Sequence, residues 1–369
     1  MPDSDPASSA IIKERRSRIR CGMTSFLNYR HSAFHVEKQV MTCNAFGIIF
    51  NNKISYFRAM KIKPVSMRLY SFYIIILLLL FPACGQSDLG PAEVLENYSA
   101  QIEEWKQNRV ESLKAPTGWL RLSGMFILDE GENTFGSGTD RDIRFPEGTI
   151  PENAGTFLYE DGRVMMRVAN DVEITHEGEP VDEMVLYDGD ETPRAEYGSL
   201  EWFVIIRDDI TAIRLYNKEN EKADNFDGFP AYPVDPEWYR MARFIPNPEE
   251  TTISIVNVLG QQVEASSPGV LEFTINGETF TLDALEGGER LFIILGDKTN
   301  RTETYQAGRY MYIDYPEEGR EVTEIDFNKA YNPPCAFNVF TTCQLPPPQN
   351  RLETAITAGE KRPVEWEGL

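Results

Sequence analysis

Residues 324–352, EIDFNKAYNPPCAFNVFTTCQLPPPQNRL, decide how this chain is read. Prolines at 333, 334, 346, 347 and 348 fix φ and withdraw backbone donors, which excludes a helix or a central strand after Tyr331. The stretch is therefore an irregular ribbon, and ordering it costs about 1–2 kcal/mol of backbone entropy per residue. Side chains must fasten it. Those on offer are Cys335 with Cys343, the aromatics Phe327, Tyr331, Phe337 and Phe340, and the amides Asn328, Asn332 and Asn350.

Upstream of the ribbon the chain alternates short apolar runs with turns: TISIVNVLGQQV, GVLEFTINGETFTLDAL, RLFIILGD, GRYMYIDY and EVTEIDF, with Asn276-Gly277 as a strong hairpin signal. The same texture holds from Trp119 onward, where Glu160-Asp161-Gly162 and Glu177-Gly178 supply turns. Nothing alternates helix with strand as a parallel sheet requires. The fold class is mainly β: two packed antiparallel β units, a small sandwich over 116–195 and a larger β domain over 196–369, preceded by one amphipathic helix over 91–115. In that helix Val94, Leu95, Tyr98, Ile102, Trp105 and Leu113 form the apolar stripe.

Composition breaks near residue 84. Residues 1–83 hold twelve of the 36 Lys and Arg and four of the 58 Asp and Glu, leaving 84–369 at about −30 against −22 for the whole. So acidic a body repels phosphate backbones and anionic headgroups, which excludes nucleic acid as a partner. The run Met60–Cys84, MKIKPVSMRLYSFYIIILLLLFPAC, reads as a signal peptide over 60–83, with Lys61, Lys63 and Arg68 before an apolar stretch short for a bilayer span. Its end resembles a lipobox with Cys84 as the lipidated residue and 84–90 as tether, although Phe81 and Pro82 depart from the usual residues there. An uncleaved anchor is the alternative; either way the expected address is extracytoplasmic. Residues 1–59 then form a non-native leader or disordered extension, with Met60 or Met67 as the start, and KERRSRIR at 13–20 lacks the apolar segment of a twin-arginine signal.

Only Cys335 and Cys343 remain in the exported body. In an oxidising compartment this C-x7-C pair is most simply a disulfide, contributing roughly 2–3 kcal/mol by loop closure. A metal site is the alternative, but it lacks nearby histidine. His176, the single histidine of the body, sits beside a turn, so neither a Ser/His/Asp triad nor a multi-histidine site is expected. Asp140-Arg141-Asp142 and Asp188-Gly189-Asp190 read as turn residues rather than calcium ligands. The signatures G-x-S-x-G, G-x-x-x-x-G-K, H-E-x-x-H and S-x-x-K are missing, and no cofactor or metal is expected.

Two resemblances follow from longer motifs. Glu132-Asn133-x-Phe135-Gly136, then Asp140-x-Asp142-Ile143, then strand, turn and strand, resembles forkhead-associated domains, which bind phosphothreonine peptides. Ser137 stands where that family has its phosphate-binding arginine, and Ala154-Gly155-Thr156 where its Ser-x-x-His would be, so the resemblance implies the scaffold without the phosphate site. FNKAYNPPCAF, LPPPQNRL, AGEK, GWLRLSGMFILDEGENTFGS, DGFPAYPVDPEW, LFIILGD and GRYMYIDY, spanning about Trp119 to Lys361, resemble the bacterial and archaeal family called domain of unknown function 1684. The resemblance implies a shared fold and site geometry, not a reaction.

That context singles out Asp297, Tyr305, Arg309, Asp326, Asn328, Asn332 and Asn350 as ligand-binding candidates beside the ribbon. Asp297 and Asp326 each follow an apolar strand, with Arg309 between them for charged, bidentate hydrogen bonds. The bland reading is a satisfied polar network that pins the ribbon. Phe226, Phe229, Tyr232 and Trp238 are either an aromatic lip for a sugar or, more often, a plug between sheets. The sequence thus describes a membrane-anchored envelope lipoprotein binding a small polar ligand or an envelope protein near the ribbon. Catalysis is not assigned; the alternative is a hydrolase with Asp297 and Asp326 as acid and base.

Overall fold

The computed structural model describes residues 89–207 and 210–363. The leader, the signal segment and Cys84 lie outside the described residues. The described chain is mainly β, with several antiparallel sheets and one long helix ahead of the strands. Helix α1 (Tyr98–Lys114) starts later than its apolar spacing predicts. Pro91 instead bridges to Arg240 and Ala92 N–H donates to Tyr239 O at 2.8 Å, so the entering chain is extended along a strand. Tyr98, Ile102 and Leu113 form the buried side of α1, while Val94 and Leu95 are exposed ahead of it.

Strands β1 (Leu122–Ile127), β2 (Gly131–Gly136), β3 (Ile143–Arg144), β4 (Gly155–Glu160), β5 (Arg163–Val168), β6 (Ile174–His176), β7 (Glu179–Val181), β8 (Glu183–Tyr187), β9 (Ala195–Tyr197), β10 (Leu200–Arg207) and β11 (Ile210–Asn217) make a sandwich. One sheet runs β1-β11-β10-β9-β6-β7 and the other β3-β2-β4-β5-β8. The predicted turns close as hairpins because their residues accept positive φ: Asp161 at 49° with Gly162 at 74°, and Glu177 at 51° with Gly178 at 85°. Between the sheets Phe135 stacks on Phe157 at 4.2 Å and Phe145 meets Trp202 edge-on at 5.5 Å. The unit reaches Asn217 rather than stopping at 195, because β10 and β11 hydrogen-bond into its first sheet and bury Trp202, Val204, Ile213 and Leu215 in its core.

After a short helical turn, α2 (Glu221–Asp224), come β12 (Tyr239–Pro246), β13 (Thr252–Val256), β14 (Gln262–Ser266), β15 (Gly269–Ile275), β16 (Glu278–Gly287), β17 (Arg290–Leu295), β18 (Arg309–Asp314) and β19 (Val322–Asp326). Six of them form one sheet, β18-β17-β16-β15-β12-β19, and β13 pairs with β14 as a separate hairpin. The sheet curls until its edges meet, the Thr323 hydroxyl of β19 donating to Asp314 O of β18 at 2.8 Å. Its inner face packs Leu271, Phe273, Leu282, Ile293, Met311 and Ile325, and the ribbon, which runs on without helix or strand past residue 352 to Glu360, closes that core with Phe327, Leu352 and Ile356. Phe292, Ile294 and Tyr310 on the outer face lie under Ile255 of the β13–β14 hairpin and the two cysteines. With both faces covered, β17 is a continuous apolar run rather than an alternating one.

The ribbon joins the two β units. Phe337 enters the cluster of Leu113 and Leu120 behind α1, and Phe340 packs on Leu122, Phe203 and Tyr216 on the outer face of the sandwich. Phe226 and Phe229 belong to the Phe337 cluster and Trp238 packs on the barrel-like core, so these aromatics plug rather than form a lip.

Candidate functional site

Asp297 follows β17 and Arg309 opens β18, which sets them side by side at one end of the curled sheet. Arg309 Nη2 donates to Asp297 Oδ2 at 2.6 Å, and both side chains are 0% exposed. The other carboxylate oxygen accepts from Thr299 N–H at 2.7 Å and the Thr299 hydroxyl at 2.6 Å, with Ile356 N–H at 3.3 Å. Arg309 also donates to Ile356 O at 3.0 Å and to Ala358 O. The pair thus holds the ribbon's last segment against the sheet. Although the buried Arg309 Nε has no hydrogen-bond partner, the pair acts as a clamp, since opening it to a ligand would expose an uncompensated charge.

The remaining candidates are also fasteners. Asn300 binds Asp297 N–H and donates to Tyr305 O at 2.8 Å, and the Tyr305 hydroxyl donates to Cys335 O at 3.1 Å; burial raises the Tyr305 pKa. Asn350 accepts from Asp283 N–H at 2.7 Å and donates to Asp283 O at 2.9 Å and Ile294 O at 3.1 Å, fixing the proline run to β16 and β17. Asn328 brackets Asp235 through N–H and C=O at 3.0 and 2.9 Å. Asp326 accepts from the Tyr98 hydroxyl of α1 at 2.8 Å and from Asn328 N–H at 3.0 Å. Burial raises the Asp326 pKa against the pull of Tyr98 and Lys329, and burial beside that carboxylate raises the Tyr98 pKa. Asp297 and Asp326 keep separate sets of hydrogen-bond partners.

Arg109 and Glu360 carry as much of this network as any predicted residue. Arg109 reaches from α1 to Glu360 Oε1 at 3.2 Å and Asn332 O at 2.9 Å, with its guanidinium 4.5 Å from the centre of the Tyr331 ring. Glu360 Oε2 accepts Asn332 N–H at 2.8 Å, and Asn332 Nδ2 donates to Lys361 O at 2.8 Å. Burial raises the Glu360 pKa, with Arg109 opposing. Cys335 and Cys343 form a disulfide at a Cα–Cα distance of 6.0 Å, inside the geometric range for such bonds. Among the described residues no group of three or more His, Cys, Asp or Glu is placed to hold a metal ion.

Open space lies elsewhere. A cleft of about 50 Å³ opens where the sandwich meets the β13–β14 hairpin and the ribbon, walled by Met125, Ile205, Ile206, Val263, Thr342 and Gln344. A larger and more open groove of about 500 Å³ runs past His176, Glu191 and Arg194, and there the histidine's Nδ1 lies 2.8 Å from Arg194 O. No sequence signal marks the cleft, because its walls come from four separate segments and mix apolar Met125, Ile205 and Val263 with polar Arg207, Asn257 and Gln261.

A family model described as protein of unknown function (DUF1684) matches residues 224–361. The solution NMR structure of an uncharacterized protein of Haloarcula marismortui is 32% identical, covering 39% of this chain and 82% of that one, with a TM-score of 0.33. The chain belongs to the DUF1684 family. The FHA domain of FhaA, solved with an intracellular domain of another protein, is 18% identical over 25% of this chain and 96% of that one, at a TM-score of 0.17. No curated protein matches. The DUF1684 match takes in the Asp297–Arg309 clamp, the disulfide and Glu360, and it stops short of the sandwich and of Arg109. The cleft therefore joins DUF1684 residues, Val263, Thr342 and Gln344, to sandwich residues outside the match, Met125 and Ile205.

Proposed function

We propose that this chain is an extracytoplasmic, lipid-anchored binding module that engages an envelope protein at the cleft beside its ribbon, without catalysis of its own. The observation carrying the reading is the cleft itself. It lies at a junction of units, as binding sites tend to, yet about 50 Å³ is far below the roughly 300–1,000 Å³ of metabolite pockets. A side chain of another protein fits such a space and a free metabolite does not. Exposed Ile127, Val258 and Leu259 sit on the elements that wall it, which suits a protein surface. Export is supported by the Met60–Cys84 segment and by the disulfide, a bond typical of oxidising compartments.

The test places a photo-crosslinking residue at Val263, with Asn276 in the β15–β16 turn as control. The expected result is one discrete envelope protein cross-linked from Val263 only, and lost when Thr342→Trp fills the cleft. Equal labelling from both positions, or thermal stabilisation by a small metabolite that survives Thr342→Trp, would overturn the reading. The anchor is checked by Cys84→Ser, which releases the protein from membranes if Cys84 is acylated and leaves it bound if it is not.

A further inference from the structure

The edge of β1 borders this cleft and is open along part of its length. Leu128 N–H donates to Thr211 O at 2.9 Å, and Phe126 and Gly124 stand opposite Ile213 and Leu215. In an antiparallel ladder, alternate residues bond to the same neighbour, so the N–H and C=O groups of Met125 and Ile127 point away from β11. Among the described residues no other strand flanks β1 on that side in the sheet order. The ribbon already uses the first outward position: Asn338 Nδ2 donates to Leu122 O at 2.6 Å. Two residues further along, Phe340 seats its ring on Leu122, Phe203 and Tyr216. The cleft, walled by Met125 and Ile205, continues this seam beyond Phe340.

Resting on the reading that the cleft is the binding surface, we propose that its occupant is an extended segment of the partner protein, which pairs with the open edge of β1 and seats one apolar side chain in the cleft. Pairing along an open edge supplies main-chain hydrogen bonds, and the period of two in a strand delivers alternate side chains to one face. The ribbon's Asn338 side-chain amide and Phe340 ring occupy the same edge and face, with a side chain in place of the main-chain donor. The cleft exceeds the roughly 10–15 Å³ needed for a water and suits one aliphatic group. Exposed Asp129, Glu130 and Glu264 follow β1 and line the hairpin, on a body at about −30. Arg207 also walls the cleft but has a partner within the chain, so the acidic pull comes from these flanking positions, and the segment carries Lys or Arg on either side of its apolar residue rather than beside it.

The probe is a nine-residue peptide, KTKTLTKTK, whose binding to the full exported chain in detergent is read by fluorescence anisotropy. Three changes report separately: Ile127→Pro removes an outward N–H and leaves the β1–β11 ladder alone, Val263→Trp fills the cleft, and backbone N-methylation of the peptide blocks pairing without altering the protein. Each is expected to weaken binding at least tenfold, with the melting temperatures of the variants close to the parent's. Loss with Val263→Trp but unchanged binding with both Ile127→Pro and the N-methyl peptide would overturn strand pairing and leave the cleft as the binding surface. Failure of the peptide to bind would overturn the inference outright.

Discussion

Replacing Asp297 with alanine leaves the Arg309 guanidinium 0% exposed and without its carboxylate. The expected loss is about 3–5 kcal/mol in urea unfolding, and Asp297→Ala combined with Arg309→Met should recover part of it by removing the stranded charge. Glu360 and Asp326 govern the pH dependence. Both have folded-state pKa values raised by burial, so the folded form holds protons that the unfolded chain releases. Their stabilisation is full below the ordinary carboxylate range and is lost as pH rises through the raised values. The melting temperature should therefore climb as pH falls toward the ordinary carboxylate range, and Glu360→Gln should flatten that slope. A flat profile for the parent would show that neither carboxyl is held protonated. At this scale Asn328, Asn332 and Asn350 were legible, because amides in a proline-rich ribbon have few other uses. Arg109 was not, since a cation on a helix surface looks solvated until its partner is seen. Asp297 and Asp326 both close strands that run the same way through the sheet, and position along a strand does not say which hydrogen-bond partners each carboxylate meets.

The disulfide closes the part of the ribbon that carries Phe337 and Phe340 into the sandwich side, and Cys343 O accepts from Val258 N–H of the hairpin at 2.9 Å. Removing it as the double variant Cys335→Ala/Cys343→Ala should cost about 2–3 kcal/mol by the loop-closure argument, read as a lower midpoint in guanidinium. An unchanged midpoint would mean that the polar fasteners alone hold the ribbon. Hairpins were the most legible elements: Asn276 at φ 53° and Gly277 at 78° take the conformation their chemistry favours, as do Asp161-Gly162 and Glu177-Gly178. The start of α1 was misread because Val94 and Leu95 keep helical spacing while backbone pairing of Pro91 and Ala92 with β12 draws the chain out straight. The unit boundary was misplaced because β10 and β11 have the same texture as later strands, and membership of a sheet is settled by pairing.

Across the whole molecule the ribbon does what neither β unit does alone. It closes the core of the curled sheet with Leu352 and Ile356, covers the outer face of the sandwich with Phe340, and leaves between them the cleft that the functional reading depends on. That arrangement follows from a stretch too rich in proline to join a sheet and too rich in amides and aromatics to be left in water. The most direct test is native hydrogen exchange of the ribbon amides. Asn332, Leu345, Leu352 and Glu360 N–H groups donate to Glu360 Oε2, Val256 O, Gly296 O and Ala330 O respectively. Exchange as slow as that of β10 and β17 is predicted for all four; exchange at open-chain rates while those strands stay protected would contradict the account.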